Sequence, residues 1–176
     1  MSVTTRALSA LLLLTPPLVG AATSIDSYAD VQWETYTHAA PDFSLQYPYE
    51  LHAATPSRPD EVFSASGPTR LPTISVAVVP RQSGVTLEQA AATAAKLLAP
   101  NGTVKAQRSV DLDGVPGQMV TIEWSAPIGA GVDLRSLLVT AFQGDSCVIV
   151  TGTDGRVGDK IDPLLTQAVE SVRFGE

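Results

Sequence analysis

The sequence has little of the side-chain chemistry on which enzymes and redox proteins most depend. Cysteine occurs once, at Cys147, and histidine occurs twice, at His38 and His52. A single cysteine excludes a disulfide within the chain, so the fold has to be stabilised by packing. Two histidines leave few imidazole groups for acid–base catalysis or for metal binding.

Positive charge is also scarce. Lysine and arginine together number 11 against 18 aspartates and glutamates, which gives a net charge of −7 at pH 7. An acidic surface repels nucleic acid and anionic lipid, because both are themselves negatively charged. We therefore expect neither as a partner.

No apolar run reaches the roughly 20 residues that a membrane-spanning helix needs. The first residues instead follow the order of a secretory signal peptide. Arg6 precedes the apolar residues 7–14, Pro16-Pro17 breaks the run, and Val19-Gly20-Ala21 supplies the small residues of a cleavage site. The sequence predicts cleavage near Ala21 and a periplasmic or secreted protein. No cysteine stands at that site, so neither a lipoprotein-type anchor nor another stable membrane anchor is expected.

The remaining chain has room for one domain. Residues 22–30 are polar and are predicted to be flexible, and residues 31–176 are predicted to form a single α+β domain. A chain of this size buries about 68–70% of its unfolded surface, which is enough for a core without disulfides. No repeat or linker indicates a second domain.

The strongest β signal lies between Val110 and Trp124. Asp113-Gly114 is a tight-turn dipeptide, because glycine adopts positive φ without steric cost and aspartate tolerates it. Residues 104–112 precede the turn as a plausible strand. After the turn, apolar and polar residues alternate from Gln118 to Trp124 with the period of a strand. These features predict a hairpin at the centre of an antiparallel sheet.

Alternating patterns predict further strands, and two segments have helical spacing. Thr86 followed by Gln89 has the pattern of a capping box and predicts a helix that ends before Pro100. A last helix is predicted after Gly158 or Asp159, with Pro163 in its first turn. The other predicted strands are residues 31–37, 42–48, 61–65, 71–80, 132–142, 147–153 and 172–174. Short turns between neighbouring strands favour an α+β fold with a mostly antiparallel sheet of about six to seven strands flanked by helices.

Four segments, taken in order, resemble the PsbP-like family. Phe43-Ser44-Leu45-Gln46-Tyr47-Pro48 is similar to its opening "F-S-I-x-Y-P" strand. The helix at Thr86-Leu87-Glu88 stands where that family has its first long helix. Val110 to Gly117 is similar to its "L-D-G-x-P-A" hairpin, and Leu165 to Phe174 to its "I-x-x-S-F-x-F" ending.

The resemblance implies an αβα sandwich, the fold shared by the extrinsic photosystem subunit, a Ran-binding nuclear transport factor and small bacterial envelope proteins. It further implies partner binding without catalysis, and it names no partner. Tyr49-Glu50-Leu51 stands where many relatives have a tryptophan. Nothing reproduces the photosystem member's N-terminal binding segment, so an oxygen-evolving role is not carried over.

The sequence offers no complete set of catalytic residues. There is no Gly-x-Ser-x-Gly elbow. Cys147 lies in an apolar strand, where burial raises the pKa of a thiol and makes it a core side chain. A hydrolase would need that thiol exposed and near a histidine. His38 and His52 lie near predicted turns and are interpreted as surface residues, so we expect no catalytic residue and no enzyme.

Four possible metal ligands, three of them acidic, recur at a regular spacing that we call the acidic ladder. Asp26, Asp30, Glu34 and His38 recur every fourth residue and on a helix would share one face able to bind a divalent ion. Trp33 and Tyr36 favour a strand instead, which breaks the ladder. We therefore expect no metal site there.

A second acidic group lies near the C-terminus. Asp154, Asp159 and Asp162 lack the order of a calcium loop, and Asp159 is better explained as a helix cap. Gly152 to Gly158 is glycine-rich and precedes a helix, but it has no Gly-Lys-Ser/Thr sequence. It is interpreted as a solvated loop, and no cofactor is expected.

Two functions remain open from the sequence. The first is an exported, non-catalytic binding or assembly module of the bacterial cell envelope, whose unidentified partner is expected to be another envelope protein or a small ligand. Its contact surface is predicted at the loops Tyr47 to Arg58 and Pro127 to Asp133, from their length and aromatic content. The alternative is an envelope protein that binds a small molecule, a lipid or a divalent metal.

Overall fold

The computed structural model describes residues 31–126, 132–155 and 163–175. The predicted signal peptide and the predicted flexible residues 22–30 lie outside this part of the chain and stay predictions. The described elements are β1 (Trp33–Ala39), β2 (Asp42–Pro48), β3 (His52–Ala53), β4 (Glu61–Ser66), β5 (Thr73–Pro80), α1 (Leu87–Leu98), β6 (Thr103–Leu112), β7 (Val115–Ala126), β8 (Val132–Gln143), β9 (Ser146–Gly155), α2 (Pro163–Glu170) and β10 (Arg173–Phe174).

Seven strands form one antiparallel sheet in the order β3-β4-β5-β9-β8-β7-β6. The predicted α+β class and the predicted sheet of about six to seven strands are therefore confirmed. One difference concerns the loop predicted from Tyr47 to Arg58, within which His52–Ala53 pairs with the end of β4.

The hairpin at Asp113-Gly114 forms as predicted, but it does not lie at the centre of the sheet. Asp113 has φ 61° and Gly114 has φ 88°, the positive values that a two-residue type I′ turn requires. The Asp111 carboxylate accepts a hydrogen bond from the Gly114 N–H at 2.7 Å. β7 continues into the sheet by pairing with β8, whereas β6 pairs only with β7. The predicted central position is wrong, because long-range pairing places β9 at the centre and β6 at an edge.

The remaining strands form a second, three-stranded sheet in the order β1-β2-β10. The first two predicted strands, residues 31–37 and 42–48, are present and pair with each other, with Trp33 opposite Pro48 and Ala39 opposite Asp42. The predicted final strand is also present, with Phe174 opposite Phe43. The sequence did not predict that these three strands separate from the large sheet.

The large sheet is covered on both faces. On one face the small sheet and α2 bury a large core that includes Phe43, Leu45, Ile74, Val150 and Leu165. On the other face α1 packs on β7 and β8. This layering agrees with the αβα sandwich that the resemblance implies.

Helix α1 begins with the predicted capping box. The Gln89 N–H donates to Thr86 Oγ1, and the Thr86 N–H donates to Gln89 Oε1. Small residues on its inner face allow the helix to approach the sheet closely, where Ala91 and Ala95 pack against Val120 and Ile122. The predicted helix and its start are both confirmed.

The glycine-rich segment from Gly152 is the second correction. Residues up to Gly155 belong to β9 and are not a loop. A Cβ atom at Gly152 would lie 3.3 Å from both Leu165 Cβ and Val169 Cγ2, so glycine is needed for α2 to pack against the strand. Residues 156–162, including the predicted helix cap at Asp159, lie outside the described residues.

Neither helix of the described chain is long and apolar enough to cross a membrane.

Candidate functional site

A serine hydroxyl group holds the C-terminal end of α2 in place and so determines the surface beside it. Ser171 follows the helix directly, and its Oγ accepts a hydrogen bond from the Gln46 N–H at 2.8 Å. The same oxygen lies 2.6 Å from the Ala168 carbonyl oxygen and 3.2 Å from the Gln46 carbonyl oxygen. These contacts fix the end of α2 against β2.

An open groove of about 780 Å³ runs along this junction. We call it the α2 groove. Six of its seven lining residues carry polar side chains, and the seventh is Pro163. The lining residues are Gln46, Pro163, Thr166, Gln167, Glu170, Ser171 and Arg173.

A second groove, of about 590 Å³, continues from the first. Glu170 and Arg173 line both grooves. The rest of its lining is the consecutive run Arg108 to Asp113 at the end of β6, so we call it the edge groove.

Ion pairs join the walls of the edge groove. Arg108 Nη2 lies 2.6 Å from Glu170 Oε1. Arg173 Nη1 donates to the carbonyl oxygens of Glu170 and Val172, and its Nε lies 3.8 Å from Asp113 Oδ2. Each of these side chains is at least two-fifths exposed, so each pair contributes less than about 1 kcal/mol to stability. Their main effect is to set the shape of the groove.

The grooves do not contain the parts of a nucleophilic site. Ser171 Oγ is engaged by the backbone of β2 and α2, and no histidine or cysteine lines either groove. Cys147 lies on β9, 5% exposed, and burial raises the pKa of its thiol. The predicted core position of Cys147 is therefore confirmed.

The two histidines lie apart from the grooves. His52 is exposed on β3. His38 is half-buried on β1, where its Nδ1 lies 3.1 Å from the Tyr36 hydroxyl and its Nε2 lies 3.1 Å from the Ala40 carbonyl oxygen. The Tyr36 hydroxyl donates to the Val62 carbonyl oxygen at 3.0 Å. His38 thus belongs to the packing between the small sheet and β4, and it is less exposed than the sequence indicated.

Glu34 and His38, the two members of the acidic ladder within the described residues, lie on a strand as predicted. Tyr36 stands between them on the same face. Glu34 accepts a hydrogen bond from the Tyr47 hydroxyl. Within residues 31–126, 132–155 and 163–175, no three possible ligands of the His, Cys, Asp or Glu type cluster as a metal site. Asp26 and Asp30 lie outside those ranges.

A buried charge pair is structural. Arg135, 6% exposed, donates from Nη2 to Glu123 Oε1, and Lys105 Nζ lies 3.1 Å from the other carboxylate oxygen. On the opposite sheet face the Trp124 indole N–H donates to Ser136 Oγ at 2.9 Å. Both groups are satisfied by neighbouring strands, so neither points to a ligand.

The sequence did not identify the residues that form the grooves. Arg108 and Glu170 are 62 positions apart, and no local pattern relates them. Asp113 was interpreted as a turn residue, which its positive φ confirms, and its carboxylate also contributes to a groove wall. The predicted contact loops lie elsewhere: residues 127–131 are outside the described chain, and the first loop carries the exposed Tyr49.

Comparison with solved structures identifies the architecture. The solution structure of cyanobacterial PsbP (CyanoP) from Synechocystis sp. PCC 6803 is similar with a TM-score of 0.64 and 12% sequence identity. The match covers 88% of this chain and 99% of that chain. The chain has a PsbP-like fold.

A second similar structure is a crystal structure from Bacteroides thetaiotaomicron VPI-5482. Its TM-score is 0.54 and its identity is 11%, and the match covers 82% of this chain but only 49% of that chain. No protein-family model matches the sequence, and no curated protein matches it. At these identities the PsbP-like likeness establishes the fold alone. The resemblance read from the four sequence segments is confirmed at that level.

Proposed function

We propose that this PsbP-like protein is an exported, non-catalytic binding or assembly module of the cell envelope, and that the α2 groove is part of its contact surface. The supporting observation is the groove itself, which is open, is lined mostly by polar side chains such as Gln46, Gln167 and Glu170, and has no histidine or cysteine in its lining. A shallow polar groove suits an exposed polypeptide better than a small ligand, which needs an enclosing pocket. Export is supported by the signal-peptide pattern of residues 1–21.

The proposal is tested by site-specific photo-crosslinking in cells that express the full chain. A crosslinking side chain at Gln167, which is exposed in the α2 groove, is expected to give a discrete adduct with one envelope protein. The matched control is Glu88, exposed on α1 across the sheet, which is expected to give none. On the same purified protein, N-terminal sequencing is expected to begin at Ala22.

Three results would contradict the proposal. They are the absence of an adduct from Gln167, equal adducts from both positions, and a purified protein that retains residues 1–21. Turnover of a substrate by the purified protein would contradict the non-catalytic part.

A further inference from the structure

Strand β6 leaves one long edge of the large sheet open. It is the last strand in the sheet order, so no strand of the described chain pairs with its outer side. Eight of its ten residues are exposed. The edge groove follows this side, because Arg108 to Asp113 line it consecutively and therefore contribute residues from both faces of the strand. The groove lining thus includes residues that face both sides of the sheet.

The hairpin geometry shows which backbone groups are free. In a two-residue hairpin the flanking pair, Leu112 and Val115, exchanges hydrogen bonds, and bonded and non-bonded pairs then alternate. The N–H and C=O groups of Gln107, Ser109 and Asp111 therefore point away from β7. The pairing is regular from Ala106 to Leu112, since its one irregularity lies beyond this range. Three outward pairs of groups are available to a further strand.

Sheet edges are normally protected by charged side chains, and those of β6 are already engaged within the molecule. Lys105 pairs with Glu123, and Arg108 pairs with Glu170 on α2. The Asp111 carboxylate accepts the Gly114 N–H. Lys105 and Arg108 are therefore neutralised within the molecule, whereas Asp111 keeps its negative charge.

We propose that the free edge of β6 accepts an extended, basic segment of a partner polypeptide, which adds a strand to the sheet beside Glu170 and Arg173. Asp111, Asp113 and Glu170 outnumber the two arginines in the groove lining, and the chain carries a net charge of −7. Charge complementarity therefore favours a basic strand. A second copy of this chain is disfavoured as the partner, because it also carries a net charge of −7. In addition, an antiparallel pairing of two β6 strands centred on Arg108 would place the two Arg108 side chains opposite each other. This inference rests on the proposed binding function and specifies its partner.

The test uses labelled synthetic peptides of about nine residues, within the usual range of strand lengths, that alternate threonine with lysine or with glutamate. Fluorescence anisotropy is expected to show binding of the lysine peptide to the mature chain. The glutamate peptide is expected to bind at least about tenfold more weakly, which corresponds to about 1.4 kcal/mol. A lysine peptide with alternate backbone nitrogens methylated is expected not to bind, since it cannot complete the ladder.

Gln107→Pro is the diagnostic variant, with Gln107→Ala as its matched control. Both remove the exposed side chain, but only proline removes the outward N–H, and it leaves the bonds to β7 in place. Proline is expected to weaken peptide binding at least about tenfold, while alanine changes it less than about twofold. Ser109→Pro provides a second edge variant if Gln107→Pro unfolds, as judged by its melting temperature.

Amide hydrogen exchange gives an independent readout on the wild-type chain. Added lysine peptide is expected to slow exchange at Gln107, Ser109 and Asp111. The amides of Ala106, Arg108 and Val110 already bond to β7 and serve as internal controls. Unchanged exchange at the three outward amides would overturn the proposal.

Other results would also reject the inference. These are equal binding by the proline and alanine variants, equal binding of both peptides, and a dimer that Gln107→Pro dissociates, which would assign the edge to a second copy. The proposed function fails separately: if the Gln167 adduct forms while lysine peptides do not bind the β6 edge, the binding module stands and only this inference is wrong.

Discussion

Gly152 lies in β9 directly beneath α2, and the absence of its side chain lets the helix approach the sheet. Leu165 and Val169 of the helix occupy the space that a Cβ atom would need. The core on this side of the sheet is assembled from side chains that sequence distance separates, including Phe43 and Leu165. Because such cores are close-packed, one added methyl group destabilises the folded state.

We predict that Gly152→Ala lowers the free energy of unfolding by about 1–3 kcal/mol, the usual cost of overpacking. Gly155→Ala is the matched control in the same strand, because no atom of the described residues lies within 4 Å of a Cβ atom there. The control is expected to change stability by less than about 1 kcal/mol. Urea denaturation measures both. Equal stability of the two variants would show that α2 does not rest on Gly152.

At the scale of elements, the turn of the β6–β7 hairpin determines where β6 stands. Gly114 has φ 88°, and among the described residues no atom lies within 4 Å of the Cβ atom that it lacks, so a substitution there tests backbone strain without a steric clash. The turn also determines which amides of β6 point outward. The same turn therefore contributes to the stability of the hairpin and presents the edge at which a strand is proposed to add.

We expect Gly114→Ala to destabilise the protein by about 1 kcal/mol, because alanine in the left-handed region costs that much. Gly114→Asn should cost less, since asparagine tolerates positive φ better. Thermal and urea unfolding of both variants, compared with wild type, measures the difference. The prediction is wrong if asparagine is no better tolerated than alanine.

At the scale of the whole molecule, the burial of ionisable side chains makes the free energy of unfolding depend on pH in the alkaline range. Burial and the hydrogen bond to Glu34 raise the pKa of Tyr47 to about 12. Burial also raises the pKa of Tyr36 and of the Cys147 thiol. Because a raised pKa favours the neutral form in the folded state, the contribution of Tyr47 is fully present below about pH 10. It is lost as the pH rises through about 12.

We therefore predict that the free energy of unfolding falls by about 2 kcal/mol between pH 10 and pH 12 through Tyr47 alone. Tyr47→Phe keeps the ring in the core and removes the ionisable hydroxyl, so its stability should depend less on pH over this range. Tyr49→Phe, at an exposed position, should retain the wild-type dependence. Urea titrations at each pH measure the free energy of unfolding of the three proteins. If this free energy falls with pH equally in Tyr47→Phe and wild type, the pH dependence does not come from Tyr47.

The sequence by itself determined the elements that depend on neighbouring residues. The capping box at Thr86, the turn at Asp113-Gly114 and the burial of Cys147 follow from local chemistry, and the order of segments indicated the PsbP-like fold. The export signal and the binding role also come from the sequence and stay proposals.

Only the tertiary structure decided how those elements meet. Strand order placed β6 at an edge of the sheet. The packing of α2 placed Gly152, which was predicted to lie in a loop, in contact with the helix. The fold also brought Arg108 to Glu170, which is 62 positions away in the sequence. Each of these depends on pairing between segments far apart in the chain. Local patterns record which face of a strand is buried, but they do not record which strand or helix lies against it.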